Sequence, residues 1–286
     1  MKLHAPGPNP IILNPVQPNA GVEAWYEQQF WSLIQQMHSD VLREIKGSGL
    51  FAMDATPAGI IKGFMRRLTH NWQAYFKGAS DTMATAFAQQ ALNHSDVGMQ
   101  HALRKAGFSV RFQQTPAMRD EFESVKRANV DLIKSIPAQY LDEVESLISE
   151  SVNKGRSMKA VTARLGELVR LNRKPNESDA SLLARTKRRA SFIARDQNNK
   201  ATATMNRIRR HEIGIEKCIW RHTLASVHPR ESHEDLDGTP FDSEEGAWDW
   251  EEQDYVQPGW LPNCGCIASA VIPGLESEFP ETEGIL

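Results

Sequence analysis

"IEKCIWRHT" (residues 215–223) and "CGCIASAVI" (residues 264–272) decide how this chain is read. Both alternate, and alternate positions of an extended strand share a face. In the first stretch Cys218, Trp220 and His222 fall on one side. In the second, Cys264, Cys266, Ala268 and Ala270 fall on one side, with Ile267 and Val271 on the other. Between them lies an acidic, turn-rich segment with Gly238, Pro240, Gly246, Pro258 and Gly259. Residues 213–275 therefore read as a small α+β or β-rich module.

Upstream of Gly214 the period is helical. "VEAWYEQQFWSLIQQMHSDVLREI" sets Trp25, Phe30, Leu33, Ile34, Met37, Val41 and Ile45 along one stripe, and "KGSG" stops it. More helix is expected from about Pro57 to Lys105. "GFSVRFQQT" (residues 107–115) alternates and reads as a short strand or an extended link. "YLDEVESLISESVNKG" has one apolar face and ends at Gly155, where a C-cap glycine belongs. Ser157 can cap the next helix. A long basic helix spans about Ser181 to Glu212. Its inward positions, Leu183, Ala190, Ile193, Ala194, Ala201, Met205 and Ile208, are mostly small and imply close packing. The fold class is mainly α, with helical N-terminal and middle regions and the small C-terminal module. The expected divisions are a Pro-rich arm (1–20), a helical region (21–112), a second helical region with the basic helix (113–212), the module (213–275) and an acidic tail (276–286). The arm holds Pro6, Pro8, Pro10, Pro15 and Pro18, which forbid a helix and favour extended backbone, either disordered alone or laid along a partner.

Length and composition allow a sizeable core in one or two domains. No apolar run approaches the ~20 residues of a membrane span, and the N-terminus lacks the apolar core of a signal peptide. Three cysteines in 286 residues do not make a disulfide framework, so a reducing, cytosolic origin is expected. Charge is unevenly spread. Residues 156–210 carry 15 Lys/Arg against 4 acids, whereas residues 231–283 carry 15 acids and no Lys or Arg. Such halves attract each other or face different partners. The cations Arg185, Lys187, Arg188, Arg189, Arg207, Arg209 and Arg210 are the candidates for phosphate contacts on DNA.

The polar residues of the module admit four chemistries. Cys264 and Cys266 could share a metal with His233 and with His222 or His228; zinc suits that donor set, although C-x-C is tighter than the usual C-x₂₋₄-C spacing. A Cys264–Cys266 disulfide would be small and strained. His233, Asp235 and Asn263 could form a metal-dependent nuclease, or Cys264 with His233 a nucleophile and base. Buried thiols could simply pack as small hydrophobes. No phosphate loop, H-E-x-x-H or G-x-S-x-G motif is present, and no other cofactor is called for.

Several segments in order resemble one family. They are "IARDQ" (Ile193 to Gln197) with Arg195 and Asp196, Gly214 before the strand bearing Trp220, "PRESH" with Arg230 and His233, "LDG" ending at Gly238, and the corner from Pro258 and Gly259 to Cys266. Together they are similar to the phage Mu F-like minor head proteins, also called head morphogenesis proteins, over roughly Ala128 to Pro273. At the corner Gly265 stands where that family usually has a basic residue. The resemblance implies a structural, non-enzymatic component of a tailed phage or prophage. It implies partners in the portal protein and the major capsid or scaffold protein, with phage DNA as a further partner and no membrane. It also implies a place in the virion head, reached by assembly in the host cytoplasm, and a part in head assembly and DNA packaging or delivery. The alternatives are a DNA-binding internal head protein and the metal-dependent nuclease.

Overall fold

A computed structural model describes residues 2–51, 58–155, 157–168, 171, 174–175, 179–223 and 229–274. The acidic tail and His228 lie outside the described residues. The protein is mainly helical, as expected. In chain order the elements are β1 (Ile11–Ile12), α1 (Ala20–Gly47), α2 (Ala58–Lys105), α3 (Pro116–Asn153), α4 (Met158–Leu165) and α5 (Leu182–Glu212). They are followed by β2 (Lys217–Arg221), α6 (Glu231–Asp235), β3 (Pro240–Asp242), β4 (Ala247–Asp249), β5 (Asp254–Val256) and β6 (Ile267–Ile272).

Two compact units result, and neither is a single run of sequence. One comprises Met1–Val22, Ala88–Val125 and Asp196–Leu286; the other comprises Glu23–Phe87 and Lys126–Arg195. The second unit is a helical core. Tyr26, Phe30, Ile34, Met37, Val41 and Ile45 of α1 are buried, along with Phe76 and Phe87 of α2 and Tyr140, Val144 and Ile148 of α3. Tyr26, not the expected Trp25, belongs to the buried stripe. Its ring stacks on Phe87 at 4.2 Å between centroids, and its hydroxyl donates to Asn129 at 2.8 Å. A phenol can lie deep in a core when its hydroxyl finds such a partner. Short helix α4 begins as its sequence predicts, with the Ser157 hydroxyl accepting the Ala160 N–H.

The first unit contains an antiparallel sheet in the order β1-β6-β2-β3, and a separate β4-β5 hairpin. Cys218, Trp220 and Phe241 pack with Met99 and Leu103 of α2, with Cys264, Cys266, Ala270 and Ile272, and with Leu3 and Leu13 of the arm. The arm lies on its own chain. Ile11 pairs with Ile272, and the amides of Leu3, Ala5 and Leu13 donate to Ile213, Pro273 and Ala270. Residues 107–115 form an extended link and not a strand, with Phe108, Val110 and Phe112 against the same core. Cys264 and Cys266, which the alternation places on the last strand, precede it, in the irregular segment between a turn and β6. Their side still continues the buried face through Ala270, so the alternation was informative while the strand boundary was not.

Candidate metal centre

Local turns assemble the site. At the end of β2, Trp220 accepts an N–H from Gly238, and the His222 amide donates to the Asp237 carboxylate at 2.9 Å. This anchors the "LDG" turn beside the strand; Gly238 takes φ 80°, where a side chain would strain the backbone. Helix α6 holds His233 inward. Arg230 at its start donates to Pro262 O at 3.3 Å and lies 3.5 Å from Glu252.

The corner that opens into β6 is fastened to α5. The Asn263 amide donates to Asp196 at 3.0 Å, and the Asn199 side chain donates to Cys264 O at 3.0 Å. Asp196 also pairs with Lys200 at 2.8 Å. Gly259 has φ 88°, and a Cβ there would stand 3.0 Å from that of Ala203 and 3.4 Å from Cys266 O. The glycine lets the corner close on the helix. Pro258 is buried in this turn. In the other unit, Arg195 acts electrostatically on Glu23, whose carboxyl is raised by burial and partly relieved by that cation.

Cys264 Sγ lies 3.4 Å from His233 Nδ1, and Cys266 Sγ lies 3.7 Å from the same nitrogen. These three ligand atoms lie within 4.8 Å of one another, and all three residues are buried. His222 reaches the group through Cys266 alone, Nδ1 to Sγ at 3.6 Å. The far nitrogen of His233 meets Asp249 at 3.1 Å, and Asp249 accepts the amides of Glu251 and Glu252. The Gly259 N–H donates to Cys264 Sγ at 3.3 Å.

Electrostatics follow from this packing. A hydrogen bond from Cys266, together with those of His233 and Gly259, holds the Cys264 thiol well below its ordinary range despite burial. The bond to Cys264 and burial push Cys266 the other way. Burial works against a charged His233, but the Cys264 bond and the Cys264 and Asp249 charges outweigh it and raise its pKa. Burial also works against the Asp249 charge, but Ser232, two amides and His233 keep the carboxyl below its usual range.

The nuclease trio is not brought together. Asp235 is exposed and accepts from the Trp250 indole at 3.2 Å, and the Asn263 backbone amide donates to Asp196, whereas His233 bonds Asp249 and the two thiols. The three cysteines are free and buried. A Cys264–His233–Asp249 line has the bonding order of a nucleophile, base and orienting acid, but a nucleophile must be reachable, and Cys264 and His233 are each only 3% exposed.

Within each unit, the cations proposed for DNA are partly buried or engaged by neighbours. Arg209 is 2% exposed, clamps Asp96 at 2.6 and 2.9 Å and Glu212 at 2.7 Å, and lies over Phe112. Lys187 is buried, donates to Leu171 O and sits 4.3 Å from the Trp31 ring centroid. Arg210 is buried against Ser243 at 3.1 Å. Arg207 pairs with Glu244 at 2.8 Å and covers Trp260. Arg185 bonds Glu143, Arg188 donates to Asp179 O, and Arg189 to Ser135. The sequence reading missed Asp249, masked by its many acidic neighbours; its place between Trp248 and Trp250 was the available hint.

Residues 142–269 match the family described as Phage Mu protein F like protein. A protein of Haemophilus influenzae (strain ATCC 51907 / DSM 11121 / KW20 / Rd), described only as an uncharacterized protein, is 28% identical over 270 residues, covering 92% of this chain. The chain spans 56% of that relative's length. No solved structure matches. No helix among the described residues is long and apolar enough to cross a membrane. The matched stretch runs from the second half of α3 into β6 and includes His222, His233, Asp249, Cys264 and Cys266, so over residues 142–269 this chain is similar to the Phage Mu protein F like proteins.

Proposed function

We propose that the protein is a minor head protein of a tailed phage or prophage, which binds the portal or inner capsid and supports head assembly and DNA packaging or delivery. The observation that carries this reading is the family match over residues 142–269. Two features support it. The first unit is fixed by internal bonds around buried polar groups, as suits a part that holds a shape. It also exposes large aromatic side chains, Trp248 at 48%, Trp250 at 47% and Tyr255 at 48%, on and beside the β4-β5 hairpin. Exposed aromatic groups of this kind suit a protein partner. The role is one of assembly and not turnover, carried out in the host cytoplasm and retained in the virion. Co-expression with the cognate portal protein, followed by affinity capture and cryo-EM of heads, tests it. The expected result is co-purification and density at the portal vertex; absence from both portal complexes and heads removes the reading.

A further inference from the structure

We propose that Cys264, Cys266, His233 and His222 bind one zinc(II) ion through Sγ, Sγ, Nδ1 and Nδ1, and that the ion is a structural clamp closing the C-terminal module. With Zn–S near 2.3 Å and Zn–N near 2.0–2.1 Å in a tetrahedron, sulfur and nitrogen ligands stand about 3.5 Å apart. The sulfur–nitrogen separations are 3.4 Å for Cys264–His233, 3.6 Å for Cys266–His222 and 3.7 Å for Cys266–His233. Three of the ligand atoms already form a mutually close group. His222 is half-buried just past β2, and with its Nδ1 3.6 Å from Cys266 Sγ it is the ligand assigned to the fourth position.

The surroundings are those of a metal ligand set. A ligating histidine needs its other nitrogen oriented, commonly by a carboxylate, and Asp249 stands 3.1 Å from His233 Nε2. Asp249 is fully buried, a costly place for a carboxylate unless the histidine it orients has a task. The Gly259 N–H aimed at Cys264 Sγ favours a thiolate. The enclosure favours a closed structural site over a catalytic one, which keeps a position open to substrate. The clamp joins three pieces distant in sequence: the end of β2, helix α6 and the corner before β6. It stands independently of the phage reading, since its test concerns the metal alone.

The test uses the full chain, purified without chelator. Elemental analysis is expected to give one zinc per chain. After removal of zinc, titration with cobalt(II) is expected to produce the visible bands of a tetrahedral site together with thiolate-to-metal charge transfer, and added zinc should erase both. Chelation should lower Tm, and zinc should restore it. His222→Ala is expected to keep the charge-transfer band but weaken cobalt binding at least tenfold, whereas Cys264→Ser should reduce the band. If Cys264→Ser does not fold, the unaltered chain and His222→Ala still decide the matter. Metal-free protein with no charge-transfer band on adding cobalt(II) overturns the proposal. Cobalt binding unchanged in His222→Ala overturns the assignment of the fourth ligand.

Discussion

His38 and His233 are both buried, yet their neighbours push them in opposite directions. His38, in the helical unit, lies 2.5 Å from the Tyr140 hydroxyl and 3.1 Å from Gly166 O. Both partners are neutral, so burial prevails and the imidazole pKa falls to about 4. His233 faces the Cys264 thiol and the Asp249 carboxylate; the Cys264 hydrogen bond and the charges of both outweigh its burial and raise its pKa. Burial alone therefore says little about a histidine; the charge of its partners decides the protonation state. His38 is a core residue that happens to be polar, whereas His233 is the centre of a polar cluster.

The contrast can be tested most severely at Asp249. Asp249→Ala removes the acceptor for His233 and for two amides, and should destabilise the first unit by about 3–5 kcal/mol. Urea denaturation followed through Trp fluorescence measures it; a loss under about 1 kcal/mol would show that the carboxylate does not hold the cluster. The next effect belongs to His38. Its folded pKa lies below its unfolded value, so the unfolded chain takes up the proton first. The contribution is fully present above about pH 6.5 and is lost as pH falls toward 4. Relative to His38→Gln, the unaltered chain should lose about 2–3 kcal/mol between pH 7 and 4.5. Parallel pH curves for the two chains would contradict a neutral buried His38. The smallest effect is expected for Tyr140→Phe, which leaves His38 Nδ1 without its donor at a cost of about 1–2 kcal/mol in chemical denaturation. A larger loss would mean that the hydroxyl has work beyond this one bond.

Much of this was legible in the sequence where the signal is local. Ser157 and Gly155 mark helix ends through capping and positive φ, and Cys218 and Trp220 mark β2 through alternation. The convergence of Cys264, Cys266 and His233 was also readable, because turn residues surround them. What escaped depends on partners far along the chain. Trp25 and Tyr26 sit side by side in a helical stripe, and the choice between them is made by Asn129 and Phe87. Arg209 looked like a surface cation because nothing near it in sequence announces Asp96. The arm's apolar residues, Leu3 and Leu13, lie among prolines and carry no period that could announce β6.

The arm has a temporal consequence. Ile11 is made long before its partner Ile272. At roughly 5–20 residues per second, β1 must wait more than ten seconds for the strand it joins. The helical unit, whose last piece ends at Arg195, can fold during that wait. Completion of the sheet then follows that of the helical unit, so a chain arrested before residue 267 would carry a finished helical unit and an arm with no strand to join.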